Sequence, residues 1–184
     1  MAAVVFGRPG QVVYTAAALA HQLRNCAKTP TAAVLAWGAE LPTGGGRATS
    51  GARRISDRLQ ELGVPAKPCG RLVGVALGCD ADQAAWVAEK VWDNAPEIPC
   101  VLAVGGPRPV AFDRHLSRHC LAVLITAPGE PVAVTALATA ELASKVAKVA
   151  TVEPLRAAAR MLALTGMGPG APLRELAVQA VSAA

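Results

Sequence analysis

With 184 residues and a formal net charge of +5, the chain is long enough for one domain with a real core over residues 1–184. Its composition is 53% apolar but only 3% aromatic, so that core is built mainly from alanine and valine. No stretch of 18 uncharged apolar residues occurs, which excludes a membrane-spanning helix.

The run Ala2-Ala3-Val4-Val5-Phe6 reads as a buried strand, followed by the turn Gly7-Arg8-Pro9-Gly10-Gln11-Val12-Val13 and a helical pattern over 14–24. Residues 32–37 form a second strand run, and 38–51 a loop holding Gly44-Gly45-Gly46. A helix is predicted over 52–62, with Ile55, Leu59 and Leu62 on one stripe and arginine and glutamate opposite. Gly63 and Pro65 end it. Residues 71–77 are a third strand. Asp80 or Asp82 caps the next helix, which runs to about Asn94 with Ala85, Val87, Ala88, Val91 and Trp92 inward. Further strands are predicted over 100–104, 121–126 and 146–152. Helices are predicted over 110–118, 132–143, 154–165 (Pro154 in its first turn) and 173–183.

These strands are continuous apolar runs rather than alternating ones, as in parallel sheets covered on both faces. The expected fold is a doubly wound α/β domain with a mostly parallel sheet of five to seven strands and helices on both faces.

Strand, glycine turn and helix are also the parts of a P-loop. Such a loop needs a lysine to reach the β- and γ-phosphates and a serine or threonine to hold Mg²⁺. Gln11 occupies the lysine slot and Val12 the hydroxyl slot, while Pro9 removes a backbone donor. Gly7, Arg8, Gly10, Gln11 and Val12 are therefore candidates for a degenerate anion loop at a helix N-terminus. The third strand ends without the aspartate that a hydrolase uses to hold metal or water. No catalytic residue is assigned, and ATP is disfavoured as a cofactor.

On these residues the chain resembles the MinD/ParA family of deviant-Walker ATPases. The helix after the loop, Thr15-Ala16-Ala17-Ala18-Leu19-Ala20, is similar to that family's small-residue helix. The stretches 82–95, Ile98-Pro99-Cys100-Val101-Leu102-Ala103-Val104 and 121–126 followed by Pro128 resemble its later strands and helices in order and spacing. The resemblance implies a Rossmann-like fold and self-association, in a family that positions cell-division, chromosome or secretion machinery. The unmatched lysine, hydroxyl and aspartate carry no catalytic role across.

A second candidate anion loop is Gly44, Gly45, Gly46 and Arg47, after the second strand. His115 and His119 stand four apart beside Cys120, but two imidazoles make no zinc site, and no metal is expected. His21 is expected at the surface of the first helix. Of Trp86 and Trp92, one is expected in the core and the other at an interface. Five cysteines without a CxxC pair, and a start with no basic leader, point to reduced thiols and a cytoplasmic chain. Arg47, Arg53, Arg54 and Arg58 form the one local basic concentration. The last helix is amphipathic but has a single arginine among small residues, so it is expected to pack on its own domain or a partner subunit rather than a membrane.

The leading expectation is a pseudo-ATPase scaffold or regulator, as a homo-dimer or with a related subunit. The alternatives are a small-ligand or nucleotide-binding enzyme using the carboxyl edge of the sheet, and a protein associated with DNA or an anionic membrane surface.

Overall fold

A computed structural model of the chain describes residues 2–41, 46–78, 80–106, 110–116, 118–126, 142–168 and 170–182. Seven strands build one sheet: β1 (Ala2–Phe6), β2 (Ala32–Trp37), β3 (Ala66–Cys69), β4 (Leu72–Ala76), β5 (Cys100–Val104), β6 (Leu121–Ile125) and β7 (Lys148–Val152). Their order is β3-β4-β2-β5-β1-β6-β7, and every pairing is parallel except β3 with β4. The described residues hold five α-helices: α1 (Pro9–Cys26), α2 (Ser50–Glu61), α3 (Ala81–Asn94), α4 (Ala157–Thr165) and α5 (Ala171–Ser182).

The central strands are buried on both faces because helices cover both. Val5, Val34, Val101 and Val123 point to the side of α1, α4 and α5. Val4, Leu35, Val73 and Leu102 point to the side of α2 and α3. This double burial is why the strands read as unbroken apolar runs. From β1 the chain crosses β5 to reach β2 by way of α1, while from β5 it crosses β1 to reach β6 on the opposite face. Adjacent strands β1 and β5 thus send their connections to opposite sides, and in open α/β sheets the crevice this leaves at the carboxyl ends is where ligands bind.

Several expectations need correction. Strand β3 was not anticipated, because Ala66-Lys67-Pro68-Cys69 has no apolar run. It forms at an edge, where Pro68 is tolerated, and is tied to α2 by Ser56 Oγ and Gln60 Nε2 donating to the Ala66 carbonyl. The helix expected over 110–118 is a 3-10 turn, Val110–Arg114, held by ion pairs of Arg114 with Glu89 and of Asp113 with Lys145. Pro154 lies outside α4, which begins at Ala157. The expected helix over 132–143 falls largely outside the described residues.

His21 is not at the surface: it is 1% exposed. Its Nε2 donates to the Leu164 carbonyl of α4 at 3.0 Å. Gly166, in the left-handed region at φ 77°, ends α4 directly against the imidazole, where a Cβ would lie 3.0 Å from Nδ1. The same residue pair therefore stops α4 and pins it to α1.

Candidate functional site

At the carboxyl end of β1 the chain passes from strand to helix in two residues. Gly7 donates its N–H to the Val104 carbonyl at 3.2 Å, and Arg8, extended and exposed, is the N-cap of α1 without a capping side-chain bond. Pro9 takes the first helical position, where its missing N–H leaves nothing unpaired. The N–H groups of Gln11 and Val12 both go to the Arg8 carbonyl, at 2.9 and 3.0 Å. Gly10 is then the one first-turn N–H without a partner among the described residues. Val12 is 0% exposed and packs in the core against the sheet; Gln11 is half-buried. A phosphate cradle needs several successive N–H groups turned toward one point, and this turn offers one.

No acid stands at the end of β4. β4 ends at Ala76, and the next carboxylate in the chain, Asp80, accepts from the N–H groups of Asp82 and Gln83 at 2.7 and 3.0 Å as the N-cap of α3.

The loops after β2 and β5 close on each other above this turn. Gly105 donates to the Trp37 carbonyl at 2.8 Å, and a Cβ at position 105 would collide with the Gly38 carbonyl. Beneath them Trp37 meets Phe112 edge to face, with ring centroids 6.0 Å apart. Beside them, on the α1 side, opens a cleft of about 510 Å³. Gly10 and Tyr14 form one wall, Gly38 and Glu40 another, and Arg160 of α4 reaches in from above. The guanidinium of Arg160 lies 6.0 Å from the Tyr14 ring centroid, and its Nε donates to the Leu155 carbonyl. The volume suits a small ligand. Sequence reasoning missed Tyr14, Glu40 and Arg160 as a group, because Arg160 arrives from a helix far along the chain.

The second candidate loop is divided. Gly44 and Gly45 lie outside the described residues. Gly46 borders the open sheet face near Lys67 and Cys69, whereas exposed Arg47 lines a groove on α2 with Arg53, Arg54 and Arg58. Arg8 does not line the groove that holds Arg47.

The histidine and cysteine cluster is partly assembled. His115 leaves the 3-10 turn and His119 stands exposed beyond it, so the two do not share a helix face. His115 does meet Cys100 and Cys120 around a cavity of about 20 Å³, with Trp92 against its ring. Burial pushes both thiols up to about 12 and lowers the imidazole's affinity for a proton. Thiols held protonated are poor nucleophiles and poor ligands, and no group of three such side chains is placed to hold a metal ion among the described residues. Cys26, Cys100 and Cys120 are free thiols among the described residues.

No protein-family model, curated protein or solved structure matches this chain. Among the described residues no helix is long and apolar enough to cross a membrane.

Proposed function

We propose that the chain is a non-catalytic MinD/ParA-like domain, a pseudo-ATPase that acts as a cytoplasmic scaffold or regulator. It works through self-association or a related subunit, in cell division, partitioning or secretion, and needs no nucleotide or metal cofactor. The observation that carries this reading is the start of α1. A two-residue turn, Pro9 at the first helical position and the fully buried Val12 leave neither a cradle for phosphates nor a ligand for Mg²⁺. An isopropyl group cannot replace the hydroxyl, nor an amide the ammonium, that a triphosphate–magnesium complex requires. Isothermal titration with ATP and Mg²⁺ tests it. No binding heat and no phosphate release are expected; micromolar affinity with turnover defeats the proposal.

A second reading, a small-ligand-binding protein or enzyme, is favoured by the cleft of Tyr14, Glu40 and Arg160. It places an acid and a base in one ligand-sized space at the sheet's carboxyl edge. Thermal-shift screening against small zwitterions and carboxylates, with Arg160→Gln as control, separates the two readings: a ligand whose stabilising effect disappears in that variant supports the second.

A further inference from the structure

Away from the carboxyl edge, the outer surface of α2 and α3 joins a stripe of arginines to an exposed tryptophan. Ile55 and Leu59 turn α2 toward the sheet. On its opposite face Arg53, Arg54 and Arg58, with Arg47 just ahead of the helix, line a shallow groove of about 670 Å³ that also includes Asp57 and Glu61. All four arginines are exposed, and none of their guanidinium groups makes a hydrogen bond or ion pair with a described residue. One turn beyond Arg58, Leu62 is 37% exposed. Next to it the Trp86 ring of α3 comes within 4.0 Å of where a Cβ on Gly63 would stand, and Trp86 is 44% exposed. Lys90 lies over the same ring, 5.6 Å from its centroid. Tryptophan and arginine are the side chains most enriched where protein interfaces hold their binding energy.

The chemistry of the surface selects its occupant. A second copy of the chain would set one arginine stripe against another, in a molecule already at +5. Single-stranded nucleic acid would stack a base on Trp86, and Lys90 lies over that ring. A membrane surface needs bulky apolar residues along the whole stripe, and Leu62 and Trp86 stand at one end. We propose that this face docks an acidic, amphipathic segment of another protein. Its carboxylates pair with Arg53, Arg54 and Arg58, and an apolar side chain sits against Leu62 and Trp86. This proposal does not rest on the pseudo-ATPase reading.

The test is nuclear magnetic resonance on the isotope-labelled full chain, titrated with a synthetic peptide bearing glutamates at helical spacing beside a leucine and a phenylalanine. The Trp86 indole signal is expected to move and that of Trp37 to stay. The dissociation constant should rise about tenfold in the Arg54→Gln/Arg58→Gln variant, and about as much in Trp86→Ala. Both variants alter exposed side chains, and circular dichroism checks that they remain folded. A peptide of equal charge with alanine in place of the leucine and phenylalanine should bind about tenfold more weakly. Equal binding of that peptide reduces the effect to bulk charge and overturns the proposal. Tighter binding to duplex DNA or to phosphatidylglycerol vesicles overturns it too, as does self-association abolished by the same variants.

Discussion

On one side of the sheet α1 is enclosed, with β1, β2 and β5 beneath it and α4 and α5 behind it. Ala16, Ala17, Leu19 and Ala20 are all 0% exposed, and polar Thr15 and His21 are buried among them. On the other side the described residues cover α2 and α3 on one face only. They bury Ile55, Leu59, Ala84, Val87 and Val91 and present arginines and two tryptophans to solvent. Small side chains let α1 approach the sheet and the outer helices at once, which makes it part of the core. The helix that begins where an anion loop would sit is committed to packing from its first turn, while exposed arginines and two partly exposed tryptophans gather on the opposite layer.

The sharpest test of this contrast is a pair of leucines. Leu19→Ala, in the enclosed helix, should lower the unfolding free energy by about 3 kcal/mol through lost burial and a cavity. Leu62→Ala, at the end of α2, should cost about 0.5 kcal/mol or less, because that side chain is already partly in water. Urea denaturation of both variants measures the difference, and equal losses would mean that the layers are not distinct. Next in size is Gly105→Ala. The new Cβ meets the Gly38 backbone rather than a movable side chain, so a loss of about 2 kcal/mol is expected. A neutral result there would show that the carboxyl-edge loops are loosely held, contrary to the tight closure of Gly38 on Gly105.

Much of the fold was legible in the sequence for one reason: the strands are covered on both faces, so each announces itself as an apolar run of the right length. The cap at Asp80 was legible because a carboxylate before a helical pattern has a local use. What failed was non-local. β3 exists because Ser56 and Gln60 hold the Ala66 carbonyl, not because its four residues favour a strand. His21 is buried because α4, 143 residues away in the chain, supplies the Leu164 carbonyl. Trp92 was expected inward but is 39% exposed, with the half-buried His115 as its ring neighbour, so neither tryptophan of α3 lies in the core. At the candidate site, the mismatch of Gln11 and Val12 was visible in the letters. The cleft of Tyr14, Glu40 and Arg160 was not, because its walls come from three separate segments.

Helix starts offer a smaller test. Asp80 caps α3 through two N–H groups, and Thr49 Oγ1 caps α2 through the Ala52 N–H at 3.3 Å. Replacing either with alanine should cost about 1 kcal/mol. Thermal unfolding of the two variants compares them directly. A neutral result at Asp80 would mean that its two N–H contacts add nothing to the start of α3.

The smallest effect expected is a pH slope from the enclosed side. Burial lowers the His21 pKa below its ordinary value of 6.5, its bond to the Leu164 carbonyl acts the other way, and Arg24 and Arg71 lower it further. Between the folded value and 6.5 the unfolded chain binds the extra proton, so stability rises with pH there. The contribution is therefore complete above about 6.5 and is lost as pH falls toward the folded value. His115 is shifted in the same direction by its own burial. Melting temperatures measured from about pH 8 down to about pH 5 should fall over this window. His21→Gln should flatten the slope, even if it lowers the melting temperature at every pH, while His115→Gln should leave most of it. A slope unchanged in His21→Gln would mean that the imidazole finds water for its Nδ1, which has no hydrogen-bond partner among the described residues. The enclosed layer would then be less closed than its packing indicates.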